Sequence, residues 1–168
     1  MPRAKGVAGE RGRPGAVGHA GPVDVTAEMQ TIASPQAVFA CIDDLARYPQ
    51  WLGLITRAVP LDPDPDDIGP AWSIDLRGRV GPLARAKRLR MVRTEHDAPT
   101  RVTFERAERD GRDHAPWVLR GEVVDDVGGA RLLMHLHYGG SLFGPVLERL
   151  LGDEIDRSRP RLAALAAG

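Results

Sequence analysis

The sequence predicts an α+β domain, a curved antiparallel sheet of about seven strands around one long C-terminal helix, with two short helices after the first strand. Three observations carry this. Apolar and polar residues alternate in successive short segments, as in half-buried strands. The junctions between the later segments are short and rich in turn residues. After Gly139-Gly140 the period becomes helical.

Residues 1–22 are mostly Gly, Ala, Pro and Arg, with no large aliphatic residue beyond Val7 and Val17. So little apolar surface does not offset the entropy of ordering a chain, and a disordered tail is expected, its Arg3, Lys5, Arg11 and Arg13 solvated. The folded domain is then 23–168. It opens with VDVTAEMQTI, where Val23, Val25, Ala27 and Met29 alternate with polar residues. Ser34 is placed to cap a helix with Pro35 at its first position, and Val38, Phe39, Ile42 and Leu45 follow at helical spacing. A second helical turn ends near Tyr48-Pro49, because the residue before a proline is pushed out of the α region.

Strands are then expected at 55–61, 71–79, 83–95, 101–109, 116–125 and 130–138. The motifs DPDPDD, Gly81-Pro82, DAPT, DGRDH and DVGG separate them, at spacings that suit an antiparallel meander better than parallel crossovers. In the last segment Phe143, Val146, Leu147, Leu150, Leu151, Ile155, Leu162 and Leu165 form one stripe opposite charged residues. A helix over 142–166 would span about 37 Å, and Pro160 predicts a kink or break after Arg159.

Composition narrows the function. A chain of 168 residues has one domain's worth of core. Its 23 basic and 23 acidic residues cancel, so global charge recruits neither nucleic acid nor membrane, and no specific nucleic acid partner is expected. No apolar run reaches the roughly 20 residues of a membrane-spanning helix, and no secretory leader is legible. The single cysteine, Cys41, sits among apolar neighbours and reads as a buried thiol, which suits a reducing cytoplasm. Monomer and homodimer both remain open.

The run SPQAVFACIDDLARYPQWLGLI after the first strand, with LHYGG before the last helix, resembles the START-like (SRPBCC) superfamily, in particular the bacterial polyketide cyclase/dehydrase and lipid-transport proteins. The pattern Ser34-Pro35, Val38-Phe39, Asp43, Leu45, Tyr48-Pro49, Trp51 carries the resemblance, which covers residues 23–166. It implies a helix-grip fold with a deep pocket between sheet and C-terminal helix. It implies no single reaction, because the superfamily spans lipid carriers, receptors, quinone chaperones, aromatases and hydratases.

Alternation assigns the concave, helix-facing side of the sheet to Trp72, Ile74 and Leu76; Val102 and Phe104; Trp117, Leu119, Gly121 and Val123; and Leu132, Met134, Leu136 and Tyr138. With Trp51 from the helix-to-strand entry and Leu147 and Leu151 from the last helix, the candidate ligand-binding set is Trp51, Trp72, Ile74, Phe104, Trp117, Leu119, Met134, Tyr138, Leu147 and Leu151. The alternative is that these residues are plain core. The Tyr138 hydroxyl and the indole N–H groups are the candidate orienting donors, in a set otherwise almost wholly apolar.

Other chemistry is thin. No catalytic residue can be assigned. No triad, phosphate loop or dinucleotide fingerprint is legible, no cofactor is implied, and no metal site is expected, since His135 and His137 fall on the convex face without a third ligand. His114, in the DGRDH turn, lacks a legible partner for general-base work and reads as a loop histidine. Between 77 and 93 lies a basic hairpin with no acid. Its Arg88 and Arg90 are candidate anion anchors if inward, surface cations for membrane or nucleic acid if outward, or solvated charges balanced by the 62–67 acidic loop.

Three functions follow as expectations. The first is a non-catalytic binder or carrier of a lipid, quinone or polyketide-like molecule. The second is a polyketide aromatase/cyclase or dehydratase using the same cavity, with Tyr138, Arg88 or Arg90 as its polar groups. The third is an adaptor for anionic surfaces through the 77–93 hairpin. The apolar concave set favours the first over the second.

Overall fold

A computed structural model describes residues 21–80, 83–140 and 144–168, and the side chains of 21–78, 86–140 and 148–168. The elements run β1 (Val23–Thr31), α1 (Pro35–Ile42), a 3₁₀ helix (Leu45–Gln50), β2 (Ile55–Pro60), β3 (Ala71–Val80), β4 (Leu83–Asp97), β5 (Arg101–Arg106), β6 (Trp117–Asp126), β7 (Gly129–Tyr138) and α2 (Gly144–Ala166). All strands form one antiparallel sheet in the order β1-β7-β6-β5-β4-β3-β2. This is the expected meander, with β1 brought round to the far edge beside β7. The expected tail at 1–22 lies almost wholly outside the described residues, as do the side chains of Phe143, Val146 and Leu147.

Local chemistry starts and stops these elements. Ser34 Oγ accepts the Ala37 N–H at 3.2 Å and Pro35 occupies the first turn of α1, as expected. Asp44 caps the 3₁₀ helix through the Ala46 N–H at 2.8 Å. That helix tolerates Pro49 and runs to Gln50, two residues past the expected end. Gly128, at φ 82°, supplies the left-handed turn between β6 and β7.

Pro160 does not break α2, which continues to Ala166. Proline removes one N–H, whose partner would be the carbonyl of Asp156, an exposed residue where water can replace it. Beyond the proline the apolar stripe still pulls inward, since Leu162 and Ala166 are buried.

The core sits between the concave face of the sheet and the α1–3₁₀ segment. Phe39, Ile42, Leu45, Tyr48 and Trp51 meet Trp72, Ile74, Leu89, Val102 and Phe104 there. Tyr48 is fully enclosed, stacks on Trp51 at 4.7 Å between ring centres, and donates its hydroxyl to the Ile42 carbonyl at 3.0 Å. Burial pushes its phenol far above the usual range, so it stays protonated. Cys41 is likewise buried and unbridged, with its thiol pushed up by desolvation.

Candidate functional site

The curvature of the sheet leaves a cavity of about 90 Å³ between β1, β6 and β7 on one side and α2 on the other. Val25, Ala27 and Met29 line it from β1, Leu119 from β6, Leu132, Met134 and Leu136 from β7, and Leu151, Ile155, Ser158 and Leu162 from α2, with Trp51 and Leu52 at one end. Among the described residues charge enters only with Glu28 and Arg159, both exposed. Ser158 Oγ is turned back to the Ile155 carbonyl at 2.9 Å. The wall is therefore hydrocarbon. It is smaller than a cavity that takes benzene, about 150 Å³, so a larger guest requires α2 to move outward.

The polar attachments of α2 to the rest of the described protein permit such a movement. Glu154 Oε1 accepts the Gly53 N–H at 2.6 Å and Arg161 donates to the Trp51 carbonyl at 3.3 Å. Both bonds reach the loop after the 3₁₀ helix and neither reaches the sheet. Against the strands, α2 is held by apolar contact, which is non-directional and tolerates sliding.

Of the residues singled out in the sequence, Trp51, Leu119, Met134 and Leu151 stand on the cavity wall. Trp72, Ile74, Phe104, Trp117 and Tyr138 face the same side of the sheet but are packed into the core away from that wall. Trp72 meets Phe104 edge-on at 5.5 Å, and Trp117 stacks on Tyr138 at 4.7 Å. The Leu147 side chain lies outside the described residues. The Trp51 indole is not an orienting donor as expected, because its N–H is spent on the Cys41 carbonyl at 3.2 Å. The Trp72 and Trp117 indole nitrogens are buried with no hydrogen-bond partner among the described residues.

Arg88 and Arg90 are corrected. Leu89 and Met91 are buried on the concave side, so Arg88 and Arg90 point the other way and cannot anchor an anion in the cavity. Arg88 forks onto Asp75 at 2.6 and 3.1 Å and holds that carboxyl below its usual value. Arg90 forks onto Asp67 of the acidic loop and also donates to the Ala107 carbonyl at 3.0 Å. The acidic loop thus pairs with one hairpin cation, Arg90, while β3 supplies the partner of Arg88.

The concave side is also less apolar than expected. The alternation that buries Leu89 and Met91 carries Lys87 and Arg93 inward, and the one that buries Val102 and Phe104 carries Arg106 inward. Arg93 donates to the carbonyl of Asp43, the C-cap of α1, at 3.0 Å. Arg106 is engaged by Glu108 Oε1 at 2.8 Å, the Ala115 carbonyl at 3.3 Å and His114 Nδ1 at 3.1 Å. Lys87 instead places its ammonium 5.9 Å from the Trp117 ring centre and 5.8 Å from that of Tyr138. Burial holds this ammonium below the usual lysine value, helped by the nearby Arg106 charge.

The family model for polyketide cyclase/dehydrase and lipid transport matches residues 22–167. The chain belongs to this family. No curated protein matches the sequence. In fold, this member of the polyketide cyclase/dehydrase and lipid transport family is similar to a START superfamily protein from Mycobacterium smegmatis, at 18% identity, 88% of this chain, 98% of that one and a TM-score of 0.64. It is also similar to a protein of Chromobacterium violaceum, at 16% identity, 86% of this chain, 97% of that one and a TM-score of 0.61. A third similarity is to the di-domain ARO/CYC StfQ of the steffimycin biosynthetic pathway, at 12% identity and a TM-score of 0.62, over 88% of this chain and 51% of that one.

Within that family frame the remaining candidates settle into structural contacts. His135 and His137 share Asp24 on the convex face, at 3.2 and 2.9 Å, and no metal-binding group of three or more such side chains exists among the described residues. His114 does have a carboxylate partner, Asp110, at 2.8 Å, with its other ring nitrogen toward Arg106. No helix among the described residues is long and apolar enough to cross a membrane. Sequence parity puts Lys87 on one face with Leu89 and Met91 but leaves open which face of β4 is inward, whereas Arg106 is missed although parity continued one step past Phe104 points it inward.

Proposed function

We propose that this protein binds and carries an apolar small molecule, of lipid, quinone or polyketide-like character, between the sheet and α2. One observation carries the reading: the space between them is walled by hydrocarbon, and among the described residues the helix that closes it is tied by polar bonds only to residues 51–53. Family membership supports it, since the family's description joins lipid transport to polyketide cyclisation and dehydration. Carriage is favoured over catalysis because a cyclase or dehydratase must move protons at its substrate. Among the described residues the wall of this cavity offers only Glu28 and Arg159 as ionisable groups, at its rim.

The test is uptake of the neutral fluorophore N-phenyl-1-naphthylamine, together with native mass spectrometry of protein purified from its own host. Wild type should bind the fluorophore saturably, and Ala27→Phe, which fills the cavity from β1, should abolish uptake while keeping its circular dichroism. No uptake by wild type together with no retained molecule would reduce the interior to plain core.

A further inference from the structure

We propose that Lys87 holds the anionic end of the ligand, so that the molecule carried is an amphiphile with an apolar body and an anionic oxygen head, such as a carboxylate. This rests on the binding role proposed above and names the class of molecule.

Pairing across the sheet builds the subsite. Trp117 lies opposite Tyr138, Arg106 opposite Met91, and Met91 opposite Trp72. On the same face of β6 and β7, one step along, lie Leu119 and Leu136 of the cavity wall, also opposite each other. Alternate residues of a strand stand about 7 Å apart, so the Trp117–Tyr138 pair adjoins the cavity end to end. A ligand extended beyond Leu119 and Leu136 along the concave face would meet this ring pair, which closes the cavity at that end, and then the ammonium 5.8–5.9 Å from the ring centres.

Charge accounting singles out Lys87. Of the three inward cations whose side chains are described, Arg93 is consumed by the C-cap of α1 and Arg106 by Glu108, Ala115 and His114. The one nearby carboxylate, Glu108, also accepts the Arg90 N–H at 3.3 Å and is already paired with Arg106. Lys87 makes no ion pair with a carboxylate among the described residues. An ammonium beside a guanidinium, over apolar rings, leaves one positive charge in excess, and an anion placed there would offset the repulsion between the two. The buried Trp117 indole N–H, which has no partner among the described residues, belongs to the same aromatic pair and is a donor that a carboxylate oxygen could satisfy. Lys87 is exposed at the residue level, so the site is reachable without unfolding.

Two probes separate this inference from the carrier reading: neutral N-phenyl-1-naphthylamine and 8-anilinonaphthalene-1-sulfonate, which share aromatic body and differ by one anionic group. Fluorescence titrations would compare wild type with Lys87→Met, Lys87→Arg and Arg77→Met, the last removing an equal charge from the exposed convex side of β3. Lys87→Met should weaken the sulfonate probe about tenfold and leave the neutral probe within about twofold, Lys87→Arg should restore most of the difference, and Arg77→Met should change neither. If both probes bind and respond alike to Lys87→Met, or if Arg77→Met matches it, Lys87 is not the anchor and the carrier reading stands. If wild type binds neither probe, the carrier reading fails and this inference falls with it.

Discussion

Glu154 Oε1 accepts the backbone N–H of Gly53 at 2.6 Å, clasping the middle of α2 to the loop that carries Trp51 and Leu52 into the cavity. A Cβ on residue 53 would stand 2.8 Å from that oxygen, so any larger residue there would push the carboxylate aside and loosen the bond. Glu154→Ala should lower stability by about 1 kcal/mol, about 3 °C in Tm for a chain of this size, and speed entry of N-phenyl-1-naphthylamine. Glu154→Gln keeps the acceptor and should lie near wild type in both. Thermal melts and stopped-flow fluorescence would check this; equal uptake rates in all three proteins would show that the clasp does not gate the cavity.

Gly121 tests the packing behind the cavity. A Cβ there would lie 2.7 Å from Ile42 Cδ1 and 3.1 Å from Met134 Sδ, both ends of flexible side chains. Gly121→Ala should therefore fold, cost about 1–3 kcal/mol, and push Met134 toward the space it lines. Urea unfolding should show the loss, and the neutral fluorophore should bind more weakly.

Asp67 makes stability depend on acid. Its side chain is 6% exposed and is forked by Arg90, with Arg109 at 2.9 Å. Hydrogen bonding to Arg90 holds its carboxyl below the ordinary 3.8. A carboxyl depressed in the folded state contributes stability that is fully present above 3.8 and lost as pH falls through the lower folded value. Asp67→Asn should thus be less stable than wild type at neutral pH, with the gap closing below that range. Urea midpoints measured from pH 7 down to pH 2.5 would show it; a constant gap would mean that the pair does not titrate with folding.

Cys41 reports opening of the core. Its sulfur donates to the Ala37 carbonyl at 3.3 Å and the residue is 2% exposed. Burial raises its thiol, which lowers the thiolate fraction further. Ellman's reagent should leave the native protein unmodified and label one thiol per chain on unfolding in urea. Rapid labelling of folded protein would show that the α1 face opens on its own.

The inward set on the strands was readable from sequence because alternation on a half-buried strand admits one choice of face. Trp72, Ile74, Phe104, Trp117, Leu119, Met134 and Tyr138 all lie on the buried side. Parity was ambiguous only in β4, where cations flank Leu89 and Met91 on both registers. The pairing with β3 resolves it by setting Arg88 opposite Asp75 and Leu89 opposite Ile74.

Sequence alone determined the order of elements, the antiparallel meander and the amphipathic closing helix, since each follows from local period, caps and turn residues. It also predicted a kink or break after Arg159; the helix does not break there, because the apolar stripe beyond it still buries Leu162. Only the tertiary structure decided which inward residues meet open space and which meet each other. Trp51, Leu119 and Met134 reach the cavity, whereas Trp117 closes on Tyr138 under Lys87. The reason is physical: the gap between a curved sheet and a helix depends on sheet curvature and helix placement, which arise from contacts between residues far apart in the chain.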